Sequence, residues 1–176
     1  ELSLTCPTGR VCLDCHCLTV TSGNYFSCAI RLDGTAACWG DDLQGLSTPP
    51  PGRFTHIGAG SYHICGVRLD GPVECWGRVW GGGDLARHPE PGTYVQVAAG
   101  TRHSCGIKTD QTIACWGAGK TDDNCVSMDY DCGQSMPPPG QFIQVTAGGL
   151  FTCGVRANTE VACWGQNDQG QTSVIV

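Results

Sequence analysis

The chain has 176 residues, of which 14 are cysteine and 26 glycine; only 15% are charged, and the formal net charge is −6. That length suits one domain with a real core or two very small ones. The absence of any basic run excludes phosphate-backbone recognition of nucleic acid, and no apolar stretch reaches the ~20 residues of a membrane-inserting helix.

Fourteen thiols in an even count point to an oxidising compartment, so the chain reads as secreted or extracellular. It starts at Glu1 rather than methionine, which fits a mature or trimmed form. Residues 1–16 form a cysteine-rich segment, in which Cys6, Cys12, Cys15 and the adjoining Cys17 pair either in a local knot or with other parts of the domain; spacing leaves their connectivity open. Cys12-Leu13-Asp14-Cys15-His16 formally matches a haem-attachment spacing. With Cys17 following at once and no cytochrome-like surroundings, neither haem nor zinc is expected here, and no cofactor elsewhere.

Residues 17–176 are dominated by four copies of one unit, near 17–53, 54–93, 94–141 and 142–176. Their Cys-Trp-Gly triplets begin at Cys38, Cys75, Cys115 and Cys163, separated by 37, 40 and 48 residues. Such a period is the size of a propeller blade and too long for a heptad. Each copy opens on an alternating segment (Tyr94, Gln96, Ala98 against Val95, Val97, Ala99), breaks at a small-residue pair, and continues with two more short apolar runs around a turn. Period-2 patterning between turn signals predicts three strands per copy and an all-β chain.

Each copy holds two cysteines ten residues apart: Cys28/Cys38, Cys65/Cys75, Cys105/Cys115 and Cys153/Cys163. Facing residues in an antiparallel hairpin have a constant sum of numbers, so an even sum requires an odd loop. A three-residue loop, Leu32-Asp33-Gly34, fits, with Gly34 in the left-handed position. The cysteines then face one another at a non-hydrogen-bonded pair, about 4.5 Å between α-carbons and within disulfide reach. The same register serves the other copies, although Gln111 and Thr159 are poor left-handed residues. Pairing between copies is the alternative.

Outside that pattern, Trp39, Trp76, Trp116 and Trp164 read as blade-to-blade packing. Trp80, beside Gly81-Gly82-Gly83, is the candidate ligand-contacting aromatic. His63 and His103 share a position with Phe26 and Phe151, which favours a structural role over metal ligation. Arg31, Arg68, Lys108 and Arg156 recur at one hairpin position, where pairing with acids of the adjacent copy is expected. Cys125 and Cys132, in the longest loop, are expected to pair with each other. The acidic run Thr121–Asn124 lacks calcium-loop spacing, so no metal site is expected.

The unit His-x-Cys-Gly-Val-x-x-Asp-Gly-x-Val-x-Cys-Trp-Gly resembles the regulator of chromosome condensation repeat, in the cysteine-bearing variety of crinkly-type receptor ectodomains and of bacterial and protist surface proteins. The resemblance implies a small β-propeller, or a propeller-like arc, of about four disulfide-stapled blades, in a family of mainly protein-interaction surfaces whose propellers usually have seven. The uncharged run Thr172, Ser173, Val174, Ile175, Val176 has high strand propensity; it should complete the first blade and close the ring, the preferred outcome, or add to a neighbouring subunit's sheet.

No Ser-His-Asp order, metal-ligand set or phosphate loop is visible, so no enzyme activity is expected. The expected function is a non-catalytic extracellular structural or adhesive module, with self-assembly into a surface fibre or coat as its finer form. The alternative is a propeller that binds a protein or glycan through its loops.

Overall fold

The computed structural model describes residues 11–13, 16–77, 88–121 and 131–174, with side chains from residue 19 onward. Cys6, Cys15, Trp80, Cys125, Ile175 and Val176 lie outside the described residues, as do the side chains of Cys12 and Cys17. A short hairpin, β1 (Val11–Leu13) with β2 (His16–Leu18), sets the backbones of Cys12 and Cys17 opposite each other.

Four three-stranded antiparallel sheets follow, one per repeat. Blade 1 comprises β3 (Val20–Ser22), β4 (Phe26–Ile30) and β5 (Ala36–Gly40). Blade 2 comprises β6 (Phe54–Ala59), β7 (His63–Arg68) and β8 (Val73–Gly77). Blade 3 comprises β9 (Tyr94–Ala99), β10 (His103–Lys108) and β11 (Ile113–Gly117). Blade 4 comprises β12 (Phe142–Ala147), β13 (Phe151–Arg156) and β14 (Val161–Gly165). The middle strand of each pairs with both others.

The hairpin register follows from the turn. In blade 1 the Arg31 amide donates to the Thr35 carbonyl at 2.8 Å and the Gly34 amide to the Arg31 carbonyl at 2.9 Å, leaving Ile30 opposite Ala36 and Cys28 opposite Cys38. The four cysteine pairs form disulfides with α-carbons 4.1, 4.0, 4.1 and 4.0 Å apart in chain order. The left-handed corner is held by Gly34 (φ 85°) and Gly71 (φ 106°), but by Gln111 (φ 69°) and Thr159 (φ 73°) in blades 3 and 4. Asp33 and Asp110 brace the corner by accepting from the amide and hydroxyl of Thr35 and Thr112. Those hydroxyl bonds, first among the causes, hold both carboxyls below their usual range.

The apolar core is three slabs, one between each pair of consecutive blades. The first joins Phe26, Cys28, Ile30 and Ala36 of blade 1 to Phe54, Ile57, Ile64 and Trp76 of blade 2. The second joins Cys65, Val67 and Val73 to Tyr94, Val97, Ala114 and Trp116. The third joins Cys105 and Ile107 to Phe142, Val145 and Trp164. Each blade thus has a trailing face, carrying the disulfide and the residues around it, and a leading face, carrying the aromatic or aliphatic residues of one side of the first strand and the tryptophan. Period-2 alternation separates the two faces.

The first strands β3, β6, β9 and β12 contact one another in turn. Glycine is required between them: a Cβ on Gly60 would lie 2.0 Å from the Gly100 carbonyl oxygen, and one on Gly100 2.5 Å from that of Gly148. At the opposite end of these strands, the hairpin corners of blades 1, 2 and 3 each accept from the next blade. Phe54 N donates to Gly34 O, Tyr94 N to Gly71 O and Phe142 N to Gln111 O, all at 2.8 Å.

The sheets do not close. Among the described residues blade 4 does not return onto blade 1, so the four blades form an open arc rather than the preferred ring. Thr172–Val174 are not a strand. The Thr172 amide donates to Asn167 Oδ1 at 2.9 Å and the Ser173 amide to the Gly170 carbonyl at 3.0 Å. Ser47 and Thr48 cap Asp42 and Gly45 in the same way after blade 1. Local turn bonds outweigh strand propensity in this segment.

Candidate interaction faces

The internal slabs define what a covered blade face looks like. In three blades the aromatic opening the first strand meets the tryptophan of its own blade: Phe54–Trp76 at 5.7 Å, Tyr94–Trp116 at 6.0 Å and Phe142–Trp164 at 6.1 Å between ring centroids. The recurrent basic residue lies over the same ring, Arg68 at 5.4 Å, Lys108 at 5.8 Å and Arg156 at 4.9 Å. This corrects the expectation of pairing with acids of the adjacent repeat: Arg68 bonds Glu74 and lies near Asp70 of its own hairpin, and Arg156 donates to the Pro139 carbonyl. A guanidinium that stacks on an aromatic face stays solvated at its edge and shields the ring beneath.

Polar groups inside the slabs pair across blades. His63 Nε2 lies 2.7 Å from Ser104 Oγ, and His103 Nε2 lies 2.8 Å from Thr152 Oγ1. Because the Thr152 hydroxyl donates to the Gln134 carbonyl, His103 must donate from Nε2, which leaves Nδ1 as a bare lone pair without a partner. Burial first, then the nearby His63, pushes the His103 pKa down to about 3, so the ring is neutral. In blade 1 Phe26 takes this place, and its neighbour in the slab is Ile64. The histidines are therefore structural, and among the described residues no group of three potential metal ligands occurs.

Two further devices tie blade to blade. Gln96 acts as a strand edge: its Nε2 donates to the Val145 carbonyl at 3.0 Å, and its Oε1 accepts from the Val145 amide at 3.1 Å. After each of blades 1 and 3 a glycine-containing loop seats one residue on the next blade. Leu46 is 4% exposed and packs in the first slab, while the carbonyl of fully buried Gln134 accepts from Trp164 Nε1 at 2.9 Å. Cys132, in this second loop, is buried and disulfide-bonded. The Gly-x-Ser/Thr spacing of these loops was a readable signal for the contact.

The two ends of the arc carry the same faces uncovered. On the leading face of blade 1, Trp39 is 53% exposed, whereas Trp76, Trp116 and Trp164 are 7%, 1% and 9% exposed. Val20 is 72% exposed where its equivalents Ile57, Val97 and Val145 are at most 3%. On the trailing face of blade 4, Val161 is 45% exposed, Phe151, Cys153 and Val155 are half-buried, and Gln144, equivalent to Gln96, is exposed. None of these residues is charged. Of the assembly candidates, Thr172 and Ser173 sit in the loop after blade 4, bonded to Asn167 and Gly170, and Val174 follows them.

The regulator of chromosome condensation (RCC1) repeat matches residues 18–45, 94–125 and 142–171. No curated protein matches the chain by sequence. The CRINKLY WD40 ectodomain of the Arabidopsis thaliana receptor kinase ACR4 is similar at 31% identity, over 90% of this chain and 52% of that one, with a TM-score of 0.65. The entire ectodomain of the Physcomitrella patens receptor kinase CR4 is similar at 29% identity, over 84% of this chain and 38% of that one, also with a TM-score of 0.65. Prp20p of Saccharomyces cerevisiae shares the fold at 16% identity, over 88% of this chain and 46% of that one, with a TM-score of 0.62. The chain therefore spans about half or less of these relatives. With four disulfide-stapled blades arranged in a propeller-like arc, the chain belongs to the RCC1 repeat family and resembles receptor-kinase ectodomains.

Proposed function

We propose that the chain is a non-catalytic extracellular module that works by protein association through the uncovered faces at the two ends of its arc. The observation that carries this reading is the exposure of Trp39 and Val20 at one end and Val161 at the other, at positions that are buried or partly buried wherever another blade covers them. Apolar, uncharged patches of this kind mark protein interfaces. The disulfides and the likeness to receptor-kinase ectodomains support an extracellular setting. A structural or adhesive role follows, in which the stapled blades supply rigidity and the ends supply contact.

Site-directed photo-crosslinking tests it. A benzophenone side chain at Val20 or Val161, in chain returned to its native extracellular material, should give protein adducts well above those from the same group at Leu69 or Val95, which are exposed away from the ends. Adducts distributed evenly, or confined to the loops, would overturn it in favour of loop-mediated binding of a protein or glycan.

A further inference from the structure

The linkers that deliver the chain to blades 2, 3 and 4 end alike. Thr48-Pro49-Pro50-Pro51-Gly52 leads into blade 2, His88-Pro89-Glu90-Pro91-Gly92 into blade 3 and Met136-Pro137-Pro138-Pro139-Gly140 into blade 4. Of the ten prolines in the sequence, Pro51, Pro91 and Pro139 are the three followed by glycine. All three are exposed, while Pro49, Pro50, Pro89, Pro137 and Pro138 are half-buried. Pro72, at the corner of blade 2, is exposed but is followed by Val73. Among the described prolines, exposure and a following glycine coincide at Pro51, Pro91 and Pro139.

The fold accounts for the glycine and for the carbonyl before it. Gly52, Gly92 and Gly140 have φ of 135°, 156° and 138°, and a Cβ on Gly52 or Gly140 would run into the guanidinium of Arg68 or Arg156. Arg68 Nη2 donates to the Pro51 carbonyl at 3.3 Å, and Arg156 Nη1 donates to the Pro139 carbonyl at 2.7 Å. Both contacts use backbone that any residue supplies. The pyrrolidine rings take no part in them.

We propose that Pro51, Pro91 and Pro139 are modification sites, each carrying a hydroxyl on Cγ as 4-hydroxyproline. Proline immediately before glycine is the position at which collagen chains carry hydroxyproline. The reaction consumes dioxygen and a 2-oxo acid such as 2-oxoglutarate. The Cγ–H bond is replaced by Cγ–OH, which takes one oxygen atom. The 2-oxo acid loses carbon dioxide and keeps the other oxygen in the shorter acid, succinate. Two of the four electrons that reduce dioxygen come from the ring and two from this decarboxylation. The extracellular reading above supplies the setting, an oxidising secretory route on which the chain meets such an enzyme before it folds. Folding then leaves the added oxygen in solvent at these three rings. At Pro50 or Pro138 it would be partly stripped of water, at a cost in stability. The product is one hydroxyl per linker, at the end of the arc where the hairpin corners meet the next blade.

The test is peptide mass spectrometry of the full chain isolated from its native extracellular material, with free thiols counted on the same sample. The expected result is one added oxygen on each of Pro51, Pro91 and Pro139, located by fragmentation, and none on Pro49, Pro50, Pro72, Pro89, Pro137 or Pro138. Acid hydrolysis should release trans-4-hydroxyproline, which separates the modification from oxidation of exposed Met136 in the same linker. A sugar on any of the three rings is the same result, because it is attached through the hydroxyl. Hydroxylation that includes Pro72 would overturn the following glycine as the determinant, and hydroxylation at Pro50 or Pro138 would overturn the role of exposure. Unmodified prolines with every cysteine paired would overturn the inference and leave the extracellular reading standing. Unmodified prolines with free thiols throughout would overturn both.

Discussion

The faces inside the arc and the faces at its ends are built from equivalent residues with opposite fates. Trp116 lies between blades 2 and 3 at 1% exposure; Trp39, from the same triplet, is 53% exposed. Cys65 and Cys105 are fully buried under the following blade, whereas Cys153 is half-buried with no blade after it among the described residues. The chemistry within a blade is constant, so burial here is a property of having a neighbour. The repeat is a unit of pairing as much as a unit of folding.

The largest expected contrast is Trp116→Ala against Trp39→Ala. The first empties a packed slab and should cost about 3–5 kcal/mol, the second below ~1 kcal/mol, both read by urea unfolding under non-reducing conditions. Comparable costs would erase the distinction between inner and end faces. Next is Gly60→Ala, whose methyl would meet the Gly100 carbonyl, against Gly149→Ala, whose nearest contact is an ordinary 3.6 Å to Thr101 Oγ1. The first should cost about 3 kcal/mol and the second below ~0.5 kcal/mol.

The polar pair in the third slab gives a pH signature. His103 is held near pKa 3 when folded, against about 6.5 for an unperturbed imidazole. Below pH 6.5 the unfolded chain takes up a proton that the folded chain refuses. This stability is present in full above pH 6.5 and falls as the pH drops toward 3, by up to about 1.4 kcal/mol per unit. Urea titrations between pH 7 and 4.5 should show the slope, and His103→Phe, which copies the residue at this place in blades 1 and 4, should flatten it. A slope unchanged by that substitution would assign the acid sensitivity elsewhere.

Reduction should sort the disulfides by neighbour. Under limiting reductant and rapid alkylation, Cys153–Cys163 should open before the other three hairpin disulfides, whose first cysteines are all at 0% exposure. The smallest effect concerns the corners. Thr159→Gly relieves a β-branched residue at φ 73° and should raise stability by about 1 kcal/mol.

Much of the blade was legible in the sequence. Cysteines ten apart with an Asp-Gly between them dictate a three-residue corner and the register it sets, and the corner holds even where Gln111 and Thr159 replace glycine. Alternation showed that each sheet has two faces, but only tertiary packing reveals that both are covered, one by the blade before and one by the blade after. The basic residues were misassigned because an aromatic fourteen positions upstream becomes a neighbour only through the bulged pairing of first and second strands, as where Phe54 meets Arg68. The run from Thr172 had strand propensity, yet Asn167 and Gly170 repeat the Asp42 and Gly45 turn and draw Thr172 and Ser173 into it. The glycines before the second strand read as breaks, and their role as the line of closest approach between blades depends on a neighbouring carbonyl that no local pattern encodes.

Pulsed hydroxyl-radical footprinting of the four repeat tryptophans in nanomolar chain tests the contrast most directly. The expected result is heavy oxidation of Trp39 with Trp76, Trp116 and Trp164 protected. Equal oxidation of all four, or protection of Trp39 with one of the others open, would contradict it.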